Sequence, residues 1–165
     1  MILFRKEAIL LASFLKYFNL SENERKVKIE DATAELSIEN LSIEMGNSCG
    51  RKYIENEIHF FSNEYIQTFL SQELNVIVEV KGENPKLLPC FCCGYNTLNK
   101  RGEYFICNVC YWEDDGNNEL YKYSNVNKMT LFEAKENFIK SSVISDKFQN
   151  RVDPDRMIQY EKSNR

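Results

Sequence analysis

"LPCFCCGYNTLNKRGEYFICNVCYWEDDG", residues Leu88–Gly116, holds five of the chain's six cysteines. Cys90 and Cys93 form one Cys-x-x-Cys, and Cys107 and Cys110 form another, with thirteen residues between the pairs. Three chemistries compete for such a set: a disulfide staple, a redox site and a metal cage. A thioredoxin-like redox site needs one Cys-x-x-Cys at a helix start, not two facing pairs. Two pairs at this spacing are a zinc signature, because Zn(II) takes four thiolates in a tetrahedron. Each Cys-x-x-Cys turn sets two sulfurs on one side of a tight knuckle. Gly94 follows the first knuckle where backbone N–H groups must approach the thiolate, "NKRG" supplies turn residues, and "EYFI" is expected to form a strand. Four protein thiolates make a closed site, and closed sites are structural. One structural Zn(II) per chain, on Cys90, Cys93, Cys107 and Cys110, is therefore expected. Cys92 lies between two ligands and reads either as a small buried knuckle residue or as a spare thiol.

Outward from this core, the chain of 165 residues is long enough for one large domain or two small ones. Hydrophobic residues make up 43%, enough for a core, and 21 basic against 25 acidic side chains give a formal charge of -4. A mildly acidic chain is a poor general nucleic-acid binder, since that binding rests on phosphate neutralisation. The longest apolar run, Ala8–Leu15, is too short to span a bilayer and is interrupted by Ser13. Glu7 among the early cations, and the lack of a small-x-small cleavage site, speak against a signal peptide. A cytoplasmic protein is expected, where structural disulfides are rare.

Phe4, Ala8, Leu11, Leu15 and Phe18 recur at helical spacing, with Arg5, Ser13 and Lys16 off that face. Ser21 and Glu24 read as a capping box opening a second helix. Val27, Ala34, Ile38, Leu41 and Met45 continue the helical period, though 34–45 also alternates in part as a strand would. Gly46, Asn47 and Gly50 are expected to end that helix, with "GNSCGRK" as a loop. Ser62 caps a further helix with Tyr65, Ile66, Phe69, Leu70 and Leu74 inside. Val76, Val78 and Val80 then alternate as a strand stopped by Gly82 and Pro85. Beyond the cysteines, Thr130 and Glu133 form another capping box. Pro154 limits regular structure in the polar tail, whose last residues are expected to fray. The expected architecture is α+β: a mainly helical region, 1–85, ending in a strand, then a four-cysteine zinc ribbon with a C-terminal helix and polar tail, 86–165.

"PCFCCGY", "CNVCYWEDDG" and "MTLFEAKENF" together resemble the bacterial cysteine-rich CPCC family over about residues 86–140. The shared runs are Trp-Glu-Asp-Asp-Gly and Glu-Ala-x-x-Asn-Phe. Phe91 and Asn108 stand where the family pattern has prolines that stiffen the knuckles. The resemblance implies a zinc-binding domain and carries over no catalytic residue. It also suggests an immunity role beside a bacterial toxin.

Other candidates for chemistry are few. Glu113, Asp114 and Asp115, with Glu119, could serve acid–base catalysis or bind Ca(II), but the alternation of an EF-hand loop is absent. A turn or an acidic contact surface is the plainer reading. Trp112 is expected to pack on the ribbon's core. His59, the only histidine, sits among apolar residues and reads as packed; Cys49 has no evident base. The expected function is thus a protein-interaction module and not an enzyme. Its partner would be a basic protein such as a toxin or nuclease, met by Glu113, Asp114 and Asp115 and by a helical acidic segment containing Glu30, Glu35 and Glu39. Two alternatives remain: a nucleic-acid-binding ribbon using Tyr95, Tyr104, Phe105, Lys100 and Arg101, and an enzyme built on the Glu113–Asp115 cluster.

Overall fold

In the computed structural model, which describes residues 1–34 and 41–163, the chain divides into two compact units, Met1–Pro85 and Lys86–Arg165. The class is mixed α+β. No described helix is long and apolar enough to cross a membrane.

The first unit opens with a strand that the sequence does not signal, and it takes Phe4, which the apolar period places in the first helix. β1 (Ile2–Phe4) pairs in parallel with β2 (Glu79–Lys81), Leu3 opposite Val80. β2 is shorter than the alternating run suggested: Val78 and Val80 are buried and Ile77 faces solvent as alternation requires, but Val76 is exposed and the ladder begins at Glu79. Between the strands lie α1 (Arg5–Asn19), α2 (Glu22–Ala34), α3 (Ile43–Ile58) and α4 (Asn63–Leu74).

The caps at Ser21 and Ser62 follow the sequence; Ser42, inside the run whose helical period continues to Met45, instead opens α3. Glu24 accepts from the Ser21 amide at 2.8 Å, while Ser42 and Ser62 accept from the Met45 and Tyr65 amides. Asn75 ends α4 in the left-handed region at φ 51°.

Two expectations fail here for one reason. Glycine was read as a stop at Gly46 and Gly50, yet α3 runs straight through both. They sit one turn apart on the face turned to α1 and α2. Gly46 lies against Ile29, and Gly50 against Ile29 and Tyr17. Their missing side chains allow close helix approach, which offsets their poor helix propensity. The same contact rotates α1: Ala8, Ile9, Ala12, Ser13 and Tyr17 are buried, while Phe4 and Phe18 are exposed. Ser13 and Tyr17 go inside because α3 gives them partners. The Tyr17 hydroxyl donates to Asn47 Oδ1 at 2.8 Å, and Arg51 donates to Ser13 at 3.1 Å and to Glu55 at 2.7 Å. His59 is exposed at the end of α3, not packed. Ile38, Glu35 and Glu39 lie outside the described residues.

The second unit has little regular structure. β3 (Leu88–Pro89) pairs antiparallel with β4 (Asn96–Leu98), and β5 (Tyr123–Ser124) with β6 (Met129–Thr130). α5 (Leu131–Ser141) starts at the expected Thr130–Glu133 capping box. A 3-10 turn, Asp146–Arg151, and one helical turn, α6 (Arg156–Gln159), follow. "EYFI" is not a strand; it meets Glu113 through a single bridge at Ile106. Trp112 is buried at the centre with Leu98, Val109, Leu131, Ala134, Val143 and Ile144.

A candidate metal centre

Two knuckles of the same construction face each other. In the first, the Cys90 amide donates to the Tyr95 carbonyl at 2.8 Å and the Gly94 amide to the Cys90 carbonyl at 2.9 Å. In the second, the Cys107 amide donates to the Trp112 carbonyl at 2.8 Å and the Tyr111 amide to the Cys107 carbonyl at 2.9 Å. Both need a left-handed residue after the second cysteine. Gly94 supplies it at φ 78°, with open space where a Cβ would stand, so the backbone angle is what requires glycine. Tyr111 takes the same place at φ 68° although it has a side chain, and its ring stacks on Phe148 at 4.1 Å.

Cys90, Cys93, Cys107 and Cys110 converge. Their sulfurs lie within 4.8 Å of one another, and none of the four residues is more than 5% exposed. The separation is 3.6 Å for Cys90–Cys110 and 3.6 Å for Cys93–Cys107. A tetrahedral thiolate site with metal–sulfur bonds near 2.3 Å sets its sulfurs about 3.8 Å apart. The spacing and donor set therefore fit one metal ion.

The thiols also interact strongly with one another. Hydrogen bonding to Cys107, together with burial, pushes the Cys93 thiol well above the ordinary range. Burial, then the surrounding thiols including Cys92, does the same to Cys110. At Cys107 burial acts upward, but donation from the other thiols and from Thr97 outweighs it and brings that thiol well below the usual value.

The chain's last described residues brace this centre, where the sequence suggested a polar tail. The Asn96 amide donates to the Glu161 carbonyl and the Ser163 amide to the Gly94 carbonyl, and Lys162 bridges Tyr95. The Ile144 amide donates to the Cys110 carbonyl. Arg156, buried, donates to the carbonyls of Val109, Ser142 and Asp153. No periodic signal marks such a brace, because it is made of single backbone bonds.

Asp114 and Asp115 of the acidic run are engaged within the ribbon, while the Glu113 side chain is half-buried. Asp114 is 0% exposed, accepts from the Gly102 amide at 3.0 Å and lies 3.7 Å from Arg101. Burial rules it out as a partner contact. Asp115 accepts from the Ser124 hydroxyl at 2.6 Å. Glu113 exchanges two backbone bonds with the Asn127 side-chain amide. Of the rings considered for base stacking, Tyr104 and Phe105 are exposed but Tyr95 is buried. Arg101 stacks on Phe91 at 3.9 Å and also donates to the Pro89 carbonyl.

Residues 88–157 match the family model Cysteine-rich CPCC. No curated protein and no solved structure matches the chain. The CPCC match covers both knuckles, the acidic run, α5 and the start of α6, and lies wholly within the second unit. Both departures from the family's knuckle prolines make tertiary contacts here. Phe91 carries the Arg101 guanidinium, and the Asn108 side chain donates to the Tyr160 hydroxyl at 2.8 Å. In the CPCC segment Cys92 is buried beside the tetrad, and its carbonyl accepts from Lys135 at 3.3 Å.

Proposed function

We propose that the chain is a zinc-stabilised protein-interaction module whose partner is a basic protein. The observation that carries this is the buried tetrad. All four corners of the tetrahedron come from the protein, so the metal holds two knuckles together and leaves no coordination position for substrate. Soft thiolates at this spacing favour Zn(II) among common cellular metals. The surface for a partner is read from charge. Glu22, Glu30, Asp31 and Glu44 are exposed on α2 and α3, while Lys28 is held by Glu57 at 3.0 Å. An acidic surface speeds encounter with a basic partner and selects against acidic ones. An immunity protein covering a basic toxin or nuclease is one form of this reading, supported here by charge alone. The nucleic-acid alternative is weakened by Arg101, which Asp114 and Phe91 hold, and by the burial of Tyr95. The enzyme alternative is weakened by the engagement of Asp114 and Asp115 within the fold.

The test has two arms. Protein purified without added metal should carry about one zinc per chain by elemental analysis; metal-free protein with two disulfides overturns the zinc reading. Partners captured by cross-linking should then be purified and recombined with the chain. Association slowed by added salt, and by Lys at Glu22, Glu30, Asp31 and Glu44, supports the interaction reading. Tight binding to a short DNA or RNA oligonucleotide, or turnover that persists with zinc bound, overturns it.

A further inference from the structure

The Thr97 hydroxyl lies 3.1 Å from Cys107 Sγ and is directed at it as a donor. Thr97 is 8% exposed and sits in the middle of β4, fixed by the pairing of Leu98 with Leu88 and by the bond from Asn96 to Glu161. Its backbone is therefore held in place beside the second knuckle. Among the described residues it is the one side chain, apart from the thiols themselves, that donates to a ligand sulfur.

A loaded site has four thiolates around a divalent ion and so a net charge of two minus, in a place almost closed to water. Buried charge of that kind is tolerated only where donors face it. The amides of Cys90, Gly94, Cys107 and Tyr111 already donate to carbonyl oxygens within the knuckles. We propose that Thr97 is a positioning residue of the metal centre, its hydroxyl donating to the Cys107 thiolate and making that sulfur the most firmly held and least nucleophilic of the four. This rests on the reading of the tetrad as a metal site. A donor in this role lowers the charge the sulfur offers to an electrophile while it orients the sulfur toward the metal.

Wild-type chain, Thr97→Val and Thr97→Ser separate donation from packing. Valine keeps the shape and removes the donor; serine keeps the donor. In competition with a chelator at fixed pH, Thr97→Val should hold zinc about 10–100-fold more weakly, with Thr97→Ser close to wild type. In parallel, the zinc-loaded proteins are treated with iodoacetamide, and the order in which cysteines are alkylated is read by mass spectrometry. Cys107 should be the last of the four in the wild type and move forward in Thr97→Val. Zinc retention and alkylation order unchanged in Thr97→Val would overturn the proposal. So would equal weakening in Val and Ser with the order unchanged, which is the signature of packing alone. A wild-type chain that binds no metal removes the underlying metal reading instead, and the proposal with it.

Discussion

Replacing Gly50 by alanine should destabilise the unit Met1–Pro85, whereas the same replacement at Gly46, one turn earlier on α3, should stabilise it. In an exposed helix interior, glycine to alanine gains about 1 kcal/mol. At Gly46 the new methyl would lie 3.4 Å from Ile29 Cδ1, a tolerable contact with the end of a flexible side chain, so up to about 1 kcal/mol of that gain should remain. At Gly50 it would lie 2.7 Å from Tyr17 Cε2, 3.1 Å from Ile29 Cγ1 and 3.2 Å from the Tyr17 hydroxyl. Carbon atoms pack best near 3.5–4.0 Å, so the ring must retreat by roughly 1 Å. Tyr17 is fully buried and bonded to Asn47, so it cannot swing clear. Overpacking costs about 1–3 kcal/mol, and a strained Tyr17–Asn47 bond adds about 1 kcal/mol. After the helix gain, Gly50→Ala should lose about 1–3 kcal/mol. For a unit of this size that is a fall in Tm of roughly 4–8 °C per kcal/mol. Circular dichroism at a helix wavelength during urea unfolding follows mainly α1–α4, which hold most of the described helical residues, while fluorescence of Trp112, the only tryptophan, follows the second unit. A Gly50→Ala protein as stable as the wild type, or a Gly46→Ala protein equally damaged, would refute the close-approach argument.

Three further outcomes are expected. Cys107→Ser should empty the site and unfold the second unit, since metal binding in small closed sites is worth on the order of 10 kcal/mol; Cys92→Ser should keep full metal content, and loss of metal there would place Cys92 among the ligands. Asp114→Ala strips Arg101 of its carboxylate and the Gly102 amide of its acceptor. With Arg101 27% exposed and able to rehydrate, this should cost roughly 1–3 kcal/mol by Trp112-monitored unfolding; an unchanged midpoint would contradict a structural role. The Thr130 amide and hydroxyl hold the Glu133 carboxyl below its ordinary range. A carboxylate lowered in the folded state contributes stability above its unfolded pKa and loses it as pH falls through the folded value, so Glu133 should titrate below ordinary glutamate by NMR and Glu133→Gln should flatten that acid slope.

Metal ligands, caps and helix periods can be read in the chain itself because each is a local device. Two Cys-x-x-Cys knuckles need only a few neighbouring residues to fix four sulfurs in type and approximate place, and Cys90, Cys93, Cys107 and Cys110 were legible on spacing alone. A serine cap satisfies amides three residues away, so Ser21 and Ser62 act within one turn. Local signals could not say which face of α1 turns inward, because Ser13 and Tyr17 are buried only where Arg51 and Asn47 wait for them on another helix. They could not separate a glycine that ends a helix from Gly50, which lets one pass close to Tyr17.

The same limit governs the site. Asp114 belongs to an acidic run that looks solvated, and only its distance to Arg101 and the Gly102 amide shows it buried. Thr97 lies in no motif; its hydroxyl matters because a β-pairing brings it to Cys107. The sequence by itself thus determined what depends on neighbours a few residues apart: ligand chemistry, helix starts and net charge. The tertiary structure decided what depends on residues distant along the chain: burial, the outer contacts of the cysteines, and the bracing of both knuckles by residues 144–163. The physical reason is that a buried polar group is stable only beside its partner, and a sequence does not show which distant segment supplies that partner.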